Sequence, residues 1–161
     1  GSTFVVEIPF EIAPPPEEFP VKETAPSGDI HGLKLLLAED NELNADIAET
    51  LLTDAGAHVT IVKNGKEAVD CFEAAPPGTF DAILMDVMMP VMDGLAATRA
   101  IRTIPRADAR QIPILAMTAN AFEEDARQCL AAGMNVHLAK PLQMDKVLAA
   151  LMECCGKKRD L

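Results

Sequence analysis

Basic residues are scarce in this chain: 14 Lys and Arg face 25 Asp and Glu among 161 residues, a formal net charge of −11. Direct nucleic-acid binding needs a basic footprint, and this balance argues against it. Lys157, Lys158 and Arg159 are the one cationic cluster, in a tail over 157–161 that reads as a solvated terminus. Long apolar runs are also missing. No stretch approaches the length of a membrane span, and the first residues carry no signal-peptide pattern. The segment is expected to be cytoplasmic, or the cytoplasmic part of a membrane-bound protein, with no membrane contact of its own. Cysteines are few, and Cys71, Cys129, Cys154 and Cys155 match no metal-ligand spacing. They read as buried or half-buried thiols in a reducing compartment.

What is present divides the chain unevenly. Residues 1–10, GSTFVVEIPF, alternate Phe4, Val6 and Ile8 as in a single strand, which cannot stand without a partner. Residues 11–30 hold Pro14, Pro15, Pro16, Pro20 and Pro26 among glutamates and read as a linker. From 31 to 156 the pattern becomes regular. Short apolar strands are expected over 33–38, 59–62, 80–85, 112–117 and 136–139. Helices are expected over 41–55, 66–75, 94–103, 121–132 and 144–155. In the first helix Leu43, Ile47, Leu51 and Ala55 recur every four residues before Gly56 stops it. In the last, Met144, Val147, Leu148, Leu151, Met152 and Cys155 form one stripe.

Continuous apolar strands alternating with amphipathic helices imply a parallel sheet covered on both faces. Right-handed crossovers make this a doubly wound five-stranded α/β fold, whose sites lie beyond the C-terminal ends of the strands. The residues at those ends are informative. The first strand leads into Glu39 and Asp40, the third ends at Asp86, the fourth at Thr118 and the fifth at Lys140. The fold gathers three acids, a hydroxyl and an ammonium group at one edge.

Two carboxylates about 5 Å apart repel by about 3 kcal/mol at an effective dielectric near 20. Three of them raise one another's pKa values or recruit a cation. Hard oxygens suit Mg²⁺, and a lysine supplies a point charge for phosphate. A metal, a cation, a hydroxyl donor and a carboxylate nucleophile are the parts of phosphoryl transfer to an acid. Glu39 and Asp40 sit together as metal holders. Asp86, alone at the end of a central strand, is the expected acceptor.

The stretches LLLAEDNELN, ILMDVMMPVMDG, ILAMTANAFEEDARQCLAAGM and LAKP, in this order and spacing, resemble the receiver domain of two-component response regulators over about residues 32–156. The resemblance implies a flavodoxin-like sheet of order 2-1-3-4-5. It implies that Asp86 is the phosphoacceptor and that Asp40 and Asp86 hold Mg²⁺, with the Met88 backbone carbonyl as a further ligand and Glu39 acting through water. Thr118 then bonds the phosphoryl group and Lys140 pairs with it, next to a cis Lys140–Pro141 bond. The family usually places Tyr or Phe three residues before this lysine, a ring that moves inward as the threonine is drawn to the phosphoryl group. Here the position is His137, smaller and ionisable, which reads either as an ordinary half-exposed histidine or as a switch residue in place of the aromatic ring.

GSTFVVEIPF resembles the last strand of a histidine-kinase ATP-binding domain, and the 117–134 run resembles receivers fused behind such kinases. Together they suggest the C-terminal receiver of a hybrid histidine kinase. The implied partners are the kinase's phosphohistidine-bearing dimerisation domain and a histidine phosphotransfer protein. The chain itself has no phosphoacceptor-histidine helix and no nucleotide-binding Asn and Gly motifs, so kinase chemistry is not its own. Two other functions compete. One is a docking module that regulates its own kinase, with phosphorylation secondary. The other is an aspartyl-phosphate hydrolase, which usually carries a second Asp two residues after the nucleophile; here that residue is Met88.

Overall fold

The computed structural model describes residues 30–120 and 122–156. Its elements are β1 (Lys34–Ala38), α1 (Glu42–Asp54), β2 (His58–Val62), α2 (Gly65–Ala74), β3 (Ala82–Asp86), α3 (Gly94–Thr103), α4 (Ala107–Gln111), β4 (Ile114–Thr118), α5 (Glu123–Ala132), β5 (Val136–Ala139) and α6 (Met144–Gly156). The strands form one sheet of order β2-β1-β3-β4-β5, parallel throughout. Successive residues of a strand face opposite sides. Leu36, Ile83, Met85 and Ile114 therefore enter the core under α2, α3 and α5, while Leu35, Leu37, Leu84 and Leu115 enter the core under α1 and α6. β3 and β4 are buried at every position, as expected of central strands covered on both faces.

Side chains set several boundaries. Asn41, Asn64 and Asp93 cap α1, α2 and α3 by accepting the N–H of Asn44, Glu67 and Ala96. Gly133, at φ 104°, closes α5 in the left-handed conformation that glycine adopts without a Cβ clash. Arg102 of α3 donates to the Gly133 carbonyl and to Asn135 Oδ1, which also accepts the Ile114 N–H. This ties the turn after α5 to its neighbours.

The structure departs from the sequence reading in places. Ile30, placed at the end of the linker, is 1% exposed and belongs to the core with Leu33. The expected strand and kinase-like segment over 1–10, the linker up to residue 29 and the tail over 157–161 lie outside the described residues. The helix expected from 121 starts at Glu123 behind Phe122, with no side-chain cap; Glu123, Glu124 and Asp125 fill its first turn, at its positive end. The short α4 was not foreseen. It is anchored by Arg106, which stacks 4.7 Å over Phe72, reaches the α2 carbonyls of Phe72 and Glu73 and the Ala75 carbonyl, and pairs with Asp108.

The largest departure is α1. Its buried residues are Ala45, Ala48 and Leu52. The stripe with the four-residue period is turned outward, Leu43 being 68% and Ile47 51% exposed. Small alanines let the helix lie close to the sheet, and the larger side chains stand beside a groove. The cysteines fall as expected: Cys129 and Cys155 are buried, Cys71 and Cys154 half-buried, and burial raises the thiol pKa of Cys71 and Cys129. No described helix is long and apolar enough to cross a membrane.

Candidate functional site

The C-terminal edge of the sheet carries the site. Adjacent strands β1 and β3 align Ala38 with Met85, so Glu39 and Asp86 emerge side by side. β4 and β5 align Thr118 with Ala139, and the Lys140 N–H donates to the Thr118 carbonyl at 2.7 Å. Lys140 thus leaves the edge strand next to Thr118, and its long side chain crosses to the acids.

Glu39 and Asp86 are buried, Asp40 is exposed, and ligand oxygens from all three lie within 4.8 Å of one another. Lys140 Nζ donates to Glu39 Oε2 and Asp86 Oδ2, each at 2.8 Å. One ammonium therefore bridges two buried carboxylates. Burial pushes the Glu39 carboxyl above its usual range; the Lys140 hydrogen bond opposes this and the Asp86 charge adds to it. Burial works against the Lys140 charge, but the hydrogen bonds and charges of Asp86 and Glu39 outweigh it, and its pKa is raised. Backbone donors finish the set: Asn41 N–H to Glu39 Oε1 and Met88 N–H to Asp86 Oδ1, both at 3.2 Å.

Thr118 is buried, and its hydroxyl is engaged with the backbone of Asn120. His137 lies partly buried on β5. Its Nε2 is fully enclosed and, among the described residues, has no hydrogen-bond partner. The Lys140–Pro141 bond is cis. The residues expected at the site are thus brought to one edge, with His137 on the strand that leads to it.

Two features were not expected. A groove of about 370 Å³ opens beside the acids, walled by Ile47 and Leu51 of α1 and by Pro141, Leu142 and Met144, and lined also by Glu39 and Lys140. The loop after Asp86 also holds a valine, Val91, at φ 68°. The four-residue spacing on α1 signals a helix but not which stripe faces the sheet; nothing in the sequence marks the backbone of Val91.

The donor set suits a divalent cation. Three carboxylates within reach of one another, two of them buried, offer hard oxygens of the kind that Mg²⁺ takes one or two at a time while keeping water.

The model for the response regulator receiver domain matches residues 35–152. Hybrid signal transduction histidine kinase I of Dictyostelium discoideum is 41% identical over 111 residues, covering 68% of this chain and 6% of that protein. Sensor protein GacS of Pseudomonas syringae pv. syringae is 38% identical over 125 residues, covering 76% of this chain and 13% of that protein. The chain thus spans only a small part of the curated relatives it matches. Among solved structures, the receiver domain of sensor histidine kinase PA1611 from Pseudomonas aeruginosa PAO1, with magnesium coordinated in its active-site cleft, is 42% identical. Its TM-score is 0.70, and the match covers 78% of this chain and 98% of that one. A co-crystal structure of the Saccharomyces cerevisiae histidine phosphotransfer signaling protein Ypd1 and the receiver domain of its downstream response regulator Ssk1 matches at 27% identity. Its TM-score is 0.70, with 80% of this chain and 92% of that one covered. A sheet of order 2-1-3-4-5, an edge that gathers acids and a lysine, and the family match agree: the chain belongs to the response regulator receiver family.

Proposed function

We propose that this domain accepts a phosphoryl group on Asp86 from a protein phosphohistidine and passes it to a histidine phosphotransfer protein, as the C-terminal receiver of a hybrid histidine kinase. The observation that carries this is the pairing of buried Asp86 with Lys140 at 2.8 Å, beside two further acids. An Asp86 oxygen attacks phosphorus, the P–N bond to the donor imidazole breaks, and the departing imidazole takes a proton. Lys140 stays within reach of the transferred oxygens and offsets their charge. Thr118 turns its hydroxyl from Asn120 to the phosphoryl group. Asp40 and Asp86, with Glu39 and the Met88 carbonyl, would hold Mg²⁺, which would supply positive charge to the phosphoryl oxygens. Hybrid-kinase relatives, the magnesium-bound neighbour and the neighbour solved with Ypd1 support the reading. The groove beside α1, continuous with the site through Glu39 and Lys140, gives a partner helix a place to lie.

The test is incubation with acetyl phosphate and Mg²⁺ followed by intact-mass measurement, next to Asp86→Asn. The expected result is one added phosphoryl group, absent without Mg²⁺ and absent in the variant. No addition from acetyl phosphate or from a phosphohistidine protein would leave a docking module that keeps its acids for the fold.

A further inference from the structure

Asn64–Gly65 is the one Asn-Gly pair in the chain, and Asp93–Gly94 is the one Asp-Gly pair. The fold requires both. Asn64 and Asp93 cap α2 and α3 through their side-chain oxygens. Neither glycine has room for a side chain: a Cβ on Gly65 would lie 2.5 Å from the Met92 carbonyl oxygen, and one on Gly94 2.2 Å from the Asp86 carbonyl oxygen. Replacing either member of a pair therefore costs a cap or a close approach. Yet an asparagine before a glycine is chemically labile. With no Cβ in the way, the glycine nitrogen can attack the side-chain carbonyl carbon of the residue before it. The new C–N bond displaces the side-chain amide as ammonia and closes a succinimide. One water opens that ring at either carbonyl, leaving aspartate or isoaspartate.

The same contacts hold this reaction back. The Gly65 N–H donates to the Met92 carbonyl and the Gly94 N–H to the Val87 carbonyl, both at 3.0 Å. A nitrogen so engaged must lose its hydrogen bond before it can give up its proton and turn to the side chain. The Asn64 side chain is tied at both ends as well. Its Oδ1 accepts the Glu67 N–H at 2.9 Å, and its Nδ2 donates to Glu67 Oε1 at 3.1 Å. Val87 and Met92 belong to the connection between β3 and α3, which starts right after Asp86. The chemical lifetime of Asn64 is thus tied to the order of a loop far from it in sequence.

We infer that Asn64 is a modification site: it deamidates spontaneously through the Gly65 nitrogen whenever the loop after Asp86 lets go of Gly65. Isoaspartate at this position adds a carbon to the main chain. Gly65 then no longer meets the Met92 carbonyl, and the cap of α2 is displaced. The modification so removes the bond that had delayed it. It needs only water as co-reactant and is independent of phosphoryl transfer.

The test incubates the whole chain in warm, mildly alkaline buffer and follows the peptide that carries Asn64 by mass spectrometry, reading the mass change as NH₂ becomes OH. The samples are the folded wild type, the wild type unfolded in urea, and folded Met92→Gly and Gly94→Ala, each with its melting temperature. Met92→Gly loosens the backbone that accepts the Gly65 bond, and Gly94→Ala forces the loop off the start of α3. The folded wild type is expected to deamidate at Asn64 at least about tenfold more slowly than the unfolded chain, because local opening must come first. Either variant, folded, is expected to deamidate at least about threefold faster than the folded wild type. One folded variant suffices if the other does not fold. Equal rates in the folded and unfolded wild type overturn the inference, since the fold then guards nothing. A folded variant that deamidates as slowly as the wild type overturns it too, since the loop is then not the gate.

Discussion

Lys140 and Asp86, 54 residues apart in sequence, meet at 2.8 Å through an ammonium that also holds Glu39 at the same distance. Removing the cation leaves two buried carboxylates facing each other. Lys140→Met is expected to lower stability by about 2–3 kcal/mol without Mg²⁺, below the cost of breaking a fully buried pair because the lysine keeps some solvent. Saturating Mg²⁺ recovers most of the loss, since it offsets the same charges. Thermal denaturation with and without the metal reads both effects; a Lys140→Met chain as stable as wild type without Mg²⁺ would refute the account.

Mg²⁺ affinity is expected to depend on the acids unequally. Asp40→Ala, which removes an exposed member of the cluster, is expected to weaken Mg²⁺ binding at least about tenfold, and Glu39→Gln by less. The chain has no Trp or Tyr, so calorimetry is the suitable measurement. Unchanged affinity in Asp40→Ala would place the metal elsewhere.

On α1 the two stripes predict opposite responses. Leu52→Ala opens a cavity under the helix and is expected to cost about 3 kcal/mol. Ile47→Asn, on the exposed stripe, is expected to cost under about 0.5 kcal/mol. Urea denaturation of the two variants decides the matter, and similar losses would mean that the outward stripe is packed in solution.

Asp108 gives a pH dependence. The Arg106 hydrogen bond, helped by the Gly78 N–H and opposed by burial, holds its carboxyl at about 2, below the ordinary 3.8. A lowered carboxylate stabilises the fold above its unfolded pKa, and this stability is lost as pH falls through the folded value. Asp108→Asn is therefore expected to be less stable than wild type near neutral pH by on the order of 1 kcal/mol after solvent screening. The gap closes as pH falls from about 4 to about 2. Urea titrations across that range check it, and a gap that does not change with pH would assign the loss to shape.

Much of this molecule was legible in the sequence because its strands are short and apolar, the central β3 and β4 being buried on both sides. The same alternation fixed the edge on which Glu39, Asp40, Asp86, Thr118 and Lys140 meet. What escaped depends on three-dimensional packing. The Leu43–Ile47–Leu51 spacing fits a helix whichever stripe faces inward, and only the close approach allowed by Ala45 and Ala48 decides it. α4 has five residues, too few for a periodic signal, and is held by an arginine bonded to distant carbonyls. Val91 resembles any valine until the glycines on either side of its loop are seen to fix it.

The bridge that crosses the sheet also has a consequence in time. Glu39 precedes Lys140 by 101 residues. As the chain leaves the ribosome, Glu39, Asp40 and Asp86 all emerge before the one ammonium that joins two of them. Until then the acids have no lysine partner at this edge. The last strand therefore does more than complete the sheet: it leads to Lys140, which offsets part of the acids' charge, and a chain stopped before residue 140 lacks that ammonium.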